Sequence, residues 1–291
     1  MVDDEMIDES KIAIEENDSK MMNFLYHSIF GRLILKILIK PTVSKIAGWF
    51  MDTKVSTVAI KRFIEKNNID LNEYEDKKYV SYNDFFTRKI KEECRKIDMN
   101  KKSLISPCDS KLTAYKISDN SIFSIKNSYY KVEDLLKNKE LAKKYKGGYC
   151  LIFRLCVDDY HRYCYIDNGK KEENTFIKGV LYTVRPIALE QYNIYKENSR
   201  EYTILNTENF GNVVHIEVGA TMIGRIKNYH ETYEFSKGEE KGMFLFGGST
   251  IVLLIEKDKV EINKNILENT KSGYETVVKL GEKIGTKKSK K

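Results

Sequence analysis

Four residues late in the chain, Gly247-Gly248-Ser249-Thr250, combine a nucleophile with backbone freedom and lead straight into the apolar run Ile251-Val252-Leu253-Leu254-Ile255. Glycine has no Cβ, so the peptide joining Gly248 to Ser249 can take a strained geometry closed to other residues, and the serine hydroxyl can approach the Gly248 carbonyl. That arrangement suits attack by a serine on its own preceding peptide bond. Between two β runs the same four residues also make an ordinary tight turn, and on their own they favour that turn. A hydrolase nucleophile elbow is excluded, because G-x-S-x-G requires glycine two residues after the serine, where Ile251 stands.

An attacking serine needs a base, and the base needs a group to orient it. The chain offers 4 histidines. His27 falls in an apolar helical stretch and His230 in a polar loop, which places both at the surface. His215 alternates with Val213 and Glu217 and reads as a satisfied strand histidine. His161 follows an apolar strand in Asp158-Asp159-Tyr160-His161-Arg162-Tyr163, a position more often structural than catalytic. Asp109, after Pro107-Cys108, sits where aspartate commonly forms turns. The 5 cysteines are odd in number and include no C-x-x-C pair, which argues against a disulfide framework or a structural zinc site and for reduced thiols in a cytosolic-facing protein.

The longer strings around these residues decide between the readings. Lys237-Gly238-Glu239-Glu240-Lys241-Gly242, continuing to Phe244 and Gly247-Gly248-Ser249-Thr250, resembles the self-cleavage segment of the phosphatidylserine decarboxylases, K-G-x-E-x-G-x-F-x-x-G-S-T. Asp159-Tyr160-His161-Arg162 resembles that family's D-Y-H-R motif, and Ser106 to Ser110 its S-P-x-D-G turn, with serine for the final glycine. Tyr82 to Lys89 resembles its F-N-D-F-F-T-R-K segment and Val218-Gly219-Ala220-Thr221 its V-G-A-T strand. Asn198 to Glu201 lies near its N-E-R segment, and Lys96 stands where R-P-I-D has proline. The resemblance runs from about Ile29 to Gly285.

That resemblance implies a proenzyme that cuts itself between Gly248 and Ser249. Ser249 attacks the Gly248 carbonyl to give an ester, elimination leaves dehydroalanine, and hydrolysis yields a pyruvoyl group derived from Ser249. This covalent cofactor would form a Schiff base with phosphatidylserine and release phosphatidylethanolamine, with no metal, nucleotide or pyridoxal. Asp109 inherits the role of orienting carboxylate, and His161 that of a catalytic histidine. One departure matters: the family carries D-Y-H-R-x-H, with the second histidine in the self-cleavage relay and the first in decarboxylation, and here the second position is Cys164. Either His161 serves both stages, or Cys164 takes part, or the protein is poorly processed. In an ideal strand, residues three apart point to opposite faces, so the two share a site only through a bulge or turn. The chain 249–291 is expected to stay with 1–248, and a homodimer is among the assemblies left open.

These residues require a scaffold. With 291 residues, 41% hydrophobic and 32% charged, the chain has the composition of a folded globular protein. A formal net charge of +7 favours an anionic partner; without a zinc-finger spacing or an aromatic RNA motif, an anionic membrane surface is preferred over nucleic acid. The expected fold class is α+β, a β-rich catalytic domain (101–291) preceded by helical, membrane-facing residues 21–100 and a polar leader, 1–20. The acidic start lacks the features of an export signal.

Met21 to Lys40 places Phe24, Leu25, Ile29, Phe30, Leu33, Ile34, Ile37 and Leu38 at helical spacing, with Arg32, Lys36 and Lys40 on one stripe. Its cations interrupt it too often for a bilayer span, which needs about 18 apolar residues. An interfacial helix and a helix packed on its own domain both fit. Pro41 should end it. Helices are expected over Val43–Met51, Val55–Asn67 and Val132–Lys144. Strands are expected over Leu112–Ile117, Tyr149–Cys156, Tyr163–Ile166, Phe176–Val184, Val213–Ile226 and Ile251–Lys257. The location implied is peripheral, on the cytoplasmic side of the cell membrane. Two rival readings are a pyruvoyl decarboxylase of a soluble amino acid, which would not need the helix at Phe24 to Lys40, and an uncleaved, inactive membrane-binding homologue.

Overall fold

Runs of Val, Ile, Leu and Tyr bounded by Gly, Asn and Lys form strands throughout the second part of the chain, as β-branched and aromatic side chains favour. The structure is a computed structural model that describes residues 11–13, 20–125, 128–189, 192–220, 226–245 and 249–289. Its first strands are β1 (Lys11–Ala13), β2 (Ser103–Ile105), β3 (Ser110–Lys116), β4 (Ile122–Ile125), β5 (Ser128–Lys131), β6 (Tyr149–Leu155), β7 (Arg162–Cys164), β8 (Gly169–Lys171) and β9 (Thr175–Ile177). They continue with β10 (Arg200–Thr207), β11 (Gly211–Val218), β12 (Ile226–Asn228), β13 (Tyr233–Phe235), β14 (Glu240–Phe244), β15 (Ser249–Ile255), β16 (Val260–Ile262), β17 (Tyr274–Val278) and β18 (Lys283–Lys287). The helices are α1 (Lys20–His27), α2 (Ile29–Leu38), α3 (Pro41–Met51), α4 (Val58–Lys66), α5 (Tyr82–Phe86), α6 (Val132–Leu136), α7 (Lys139–Lys143), α8 (Pro186–Leu189), α9 (Ile194–Glu197) and α10 (Lys264–Lys271). This is the expected α+β class, with helices first and strands dominating thereafter.

One large antiparallel sheet runs β1-β17-β3-β6-β15-β11-β10-β8-β13, with β9 also on β10. Strand β15 lies at its centre, paired along its whole length with β6 and over five residues with β11. It is buried on both faces, which is why its sequence is continuously apolar instead of alternating. On one face Val252 and Leu254 join Ile152, Ile216 and Val218, covered by residues of α1, α2, α6 and α9 such as Tyr26, Leu35, Leu135 and Tyr195. On the other, Ile251 and Leu253 join Phe153, Leu155, Tyr163 and Phe244. That second face is roofed by a small sheet, β12-β14-β7.

The helical part differs from expectation in informative ways. The continuous helix over Met21–Lys40 is two, broken at Ser28, whose hydroxyl accepts the Gly31 backbone N–H at 2.8 Å as an N-cap. A side chain at Gly31 would put its Cβ 1.9 Å from the Phe24 carbonyl oxygen, so only glycine lets α2 cross α1 this closely. Pro41 does more than end α2, for it stands in the first turn of α3, where a missing N–H costs nothing. The single helix expected over Val132–Lys144 is likewise two, divided at Lys137 in the left-handed region (φ 51) and recapped by Asn138.

Leu25, Tyr26, Leu35 and Ile39 face inward. Ile29, Phe30, Leu33, Ile34 and Ile37 face solvent, with Phe30 at 75% exposure, and Trp49 (69%) and Val58 (82%) extend the apolar surface into α3 and α4. Among the described residues no helix is long and apolar enough to cross a membrane. Three expected strands are shorter than their apolar runs. Of the stretch Phe176–Val184, Phe176 and Ile177 lie in β9 and Val180 makes an isolated bridge to Asn198, Tyr163–Ile166 leaves its ladder after Cys164, and β11 ends at Val218. Thr221 to Arg225, between β11 and β12, lie outside the described residues. Lys11–Ala13, within the stretch read as a polar leader, forms an edge strand on β17.

Candidate active site

Ser249 opens β15, opposite Leu155 at the end of β6. It is fully buried, and its hydroxyl has no hydrogen-bond partner among the described residues. A buried hydroxyl left without any partner costs about 1–3 kcal/mol. Alternation along the strand puts Ser249 on the face of Ile251, Leu253, Tyr163 and Phe244. Gly248, the other half of the expected cleavage site, and Gly247 lie outside the described residues.

The turn that leaves β6 beside Ser249 carries His161. Asp159 closes it, accepting the Cys156 N–H on its carboxylate at 2.7 Å while its own N–H bonds the Cys156 carbonyl. Burial, with the charge of Asp158, pushes the Asp159 carboxyl up to about 6. The Asp159 backbone carbonyl lies 2.8 Å from His161 Nδ1. A carbonyl only accepts, so Nδ1 carries a proton, and in the neutral tautomer that this contact selects the lone pair stands at Nε2. The His161 ring, fully buried, leans on Phe86 at 4.2 Å between centroids, and the His161 carbonyl accepts the Phe244 N–H at the end of β14. Phe86 belongs to the aromatic string at Tyr82–Lys89, whose short helix is capped by Ser81 and whose Thr87 carbonyl takes two bonds from Arg162. Sequence reasoning used that string for recognition only, and its position against His161 was not legible from spacing.

Asp109 is buried at the start of β3. Its carboxylate accepts from Arg95 Nε and Nη2 (2.9 and 2.7 Å) and from the Leu280 N–H at 2.8 Å. Among the described residues Arg95, with Lys279 at 3.7 Å, and not His161, is its side-chain partner, and the His161 ring is held by a backbone carbonyl instead. Two residues before Asp109, the Pro107 carbonyl accepts the Cys164 N–H at 2.9 Å, which brings Asp109 and Cys164 into one neighbourhood. Burial pushes the Cys164 thiol up to about 12. Cys164 also lines a cavity of about 660 Å³ with Arg95, Tyr160, Arg162, Gly238 and Leu280. The bulge in this region lies on β14, between Glu240 and Gly242, and β7 itself runs unbroken from Arg162 to Cys164.

His215 is not satisfied in the way its alternation suggested. It is fully buried, its Nε2 has no partner among the described residues, and its Nδ1 stands 2.8 Å from Glu217 Oε1. Burial would raise the Glu217 carboxyl, but the Lys241 ammonium and His215 outweigh it and hold it at about 2. His230 is also less exposed than expected, stacked on Tyr233 at 3.6 Å.

The model of the phosphatidylserine decarboxylase family matches residues 82–286, from α5 into β18. The chain belongs to that family. Phosphatidylserine decarboxylase proenzyme 2 of Clostridium acetobutylicum is 51% identical over 265 residues, covering 91% of each chain. The proenzyme of Clostridium tetani is 45% identical over 273 residues, 92% of each, and that of Ruminiclostridium cellulolyticum 44% over 272 residues, 91% of each. The family match contains Asp109, His161 and Ser249, and it leaves α1 to α4 outside.

Proposed function

We propose that this chain is a phosphatidylserine decarboxylase made as a proenzyme, cut by its own Ser249 at the Gly248-Ser249 bond. The observation that carries the reading is the Ser249 hydroxyl, buried and without a partner among the described residues, at the head of the central strand. In the proposed cut, His161 Nε2 takes the hydroxyl proton, Oγ bonds the Gly248 carbonyl carbon, and the Gly248–Ser249 C–N bond breaks as the nitrogen is protonated. β-Elimination then frees the Gly248 carboxylate as the new C-terminus and leaves dehydroalanine, and water replaces its nitrogen, lost as ammonia, to give the pyruvoyl group. An orphan hydroxyl in an apolar wall fits that group, which asks for space and dryness. The group supplies the electrophilic carbonyl that takes the substrate amine and holds the electron pair left as carbon dioxide departs.

The chain's own residues do the rest. Phe86, Phe244 and Leu155 exclude water, and His161 returns a proton from Nε2. Asp109, with Arg95, supplies a fixed carboxylate behind β7. The solvent-facing apolar surface of α1 to α4, beside the exposed Arg32, Lys36 and Lys40, docks the protein on the anionic cytoplasmic face of the cell membrane, where the substrate lies. That surface favours a lipid over a soluble amino acid. Intact mass under denaturing conditions tests the reading: two chains are expected, 1–248 and 249–291, the smaller with a blocked N-terminus. Ser249→Ala should stay whole, and active material consisting only of full-length chain would overturn the proposal.

A further inference from the structure

A second group of buried charges lies beside Ser249 and has no part in the scheme above. Glu217 on β11 pairs with Ile251 on β15, and Ser249 stands two residues before Ile251 on the same face. The two are thus diagonal neighbours across the strands, about 7 Å apart at the backbone. Lys241 reaches Glu217 from β14, in the roofing sheet, donating to Glu217 Oε1 and to Asn228 Oδ1 at 2.6 Å. Both ends of the pair are fully buried. Asn228, on β12, bridges onward to Glu201 on β10 at 2.7 Å, and the Lys241 ammonium lies 5.5 Å from the centre of the Tyr163 ring. Gly242 permits this closeness, because a Cβ there would stand 2.3 Å from the Lys227 carbonyl oxygen and 2.8 Å from the Tyr163 hydroxyl.

A buried ion pair is weak evidence for stability, since apolar residues of similar volume usually serve as well or better. Ile251, Leu253, Phe244 and Tyr163 form the apolar wall beside the pair, while His215 and Asn228 make its polar contacts. What the pair does distinctively is join two sheets at one point: β11 holds β15, which begins with Ser249, and β14 ends at Phe244, five steps earlier. Five Cα steps span about 18 Å at most, so the relative placement of these two strand ends constrains the peptide between them.

We infer that the Glu217–Lys241 pair, with Asn228, is a positioning device for self-cleavage, fixing the end of β14 against the start of β15 so that the bond before Ser249 is presented to its hydroxyl. The inference rests on the proposed cut at Gly248-Ser249, and it makes Glu217 and Lys241 positioning residues, acting through the two strands and not on the reacting atoms. Removing one partner strands a buried charge and endangers folding, so the decisive variant is Glu217→Gln with Lys241→Met, which removes both charges of the pair together. This double variant should fold and melt no lower than the uncut Ser249→Ala protein, yet cut itself at least tenfold more slowly than wild type. Added hydroxylamine, which cleaves an ester once formed, should not restore the rate, because the defect precedes Oγ attack. Lys241→Arg keeps the charge but changes the reach of its donors, and it should slow the cut several-fold in a folded protein. Wild-type cleavage by either folded variant overturns the inference, as does full recovery of the double variant with hydroxylamine. Failure of the underlying proposal would show separately, as a wild-type chain that never cuts.

Discussion

A thiol held near 12 and an imidazole with its lone pair at Nε2 are unequal bases at neutral pH. Burial keeps Cys164 as the thiol at pH 7, so it is a poor proton acceptor there. His161→Ala should therefore stop self-cleavage, and Cys164→Ala should leave it within about twofold, measured as fraction cut over time. Cleavage in His161→Ala with a block in Cys164→Ala would make the thiol the relay. Asp159 carries a pH prediction. Its folded carboxyl sits at about 6 against an ordinary 3.8, so its contribution to stability is full below that ordinary value and is lost as pH rises through 6. Asp159→Asn should gain on wild type by up to about 3 kcal/mol between pH 4 and pH 7.5 in denaturant titrations, and a pH-independent difference would refute this. Ser249, His161 and Asp109 were legible as candidates because each stands in a motif string that the sequence shows directly. Glu217 and Lys241 were not, although both stand in strings noted for other reasons, because their pairing depends on β14 folding over β11 from a distance in sequence.

At the scale of elements, strands β6 and β15 were legible within a residue or two, because a strand buried on both faces is a continuous apolar run. Breaks were harder. Nothing in the periodicity of Met21–Lys40 marks Ser28, and the helix divides there because α2 must cross α1 at Gly31. The division has a functional side: it turns Phe30, Leu33 and Ile37 outward while Leu35 and Ile39 stay in the core. The triple substitution Arg32→Gln, Lys36→Gln, Lys40→Gln should weaken sedimentation with anionic vesicles by about 1 kcal/mol per cation, with a smaller difference at higher salt. Equal sedimentation of variant and wild type would remove the cations from the interface. Phe30→Ser with Trp49→Ser should weaken binding to the same vesicles at every salt concentration, because apolar burial is not screened.

For the whole molecule, the proposed cut has a topological consequence. The bond lies at the edge of β15, so the short chain would begin with the central strand of the sheet and go on to supply β16, α10, β17 and β18. In the intact fold β15 is laddered to β6 and β11, β17 to β3, and β18 to β2, so the two chains would interleave instead of meeting at a flat interface. Ile251, Val252, Leu253, Leu254 and Ile255 are all buried. At about 2 kcal/mol each, burial of these five side chains contributes about 10 kcal/mol toward holding the two chains together. Chains 1–248 and 249–291 should therefore elute as one species in native size exclusion after cleavage and separate only in denaturant. Strand β15 fills the centre of both cores, so a large chain stripped of the small one should lose its cooperative melt entirely. A stable, folded large chain recovered alone under native conditions would show that β15 is dispensable to the sheet it occupies.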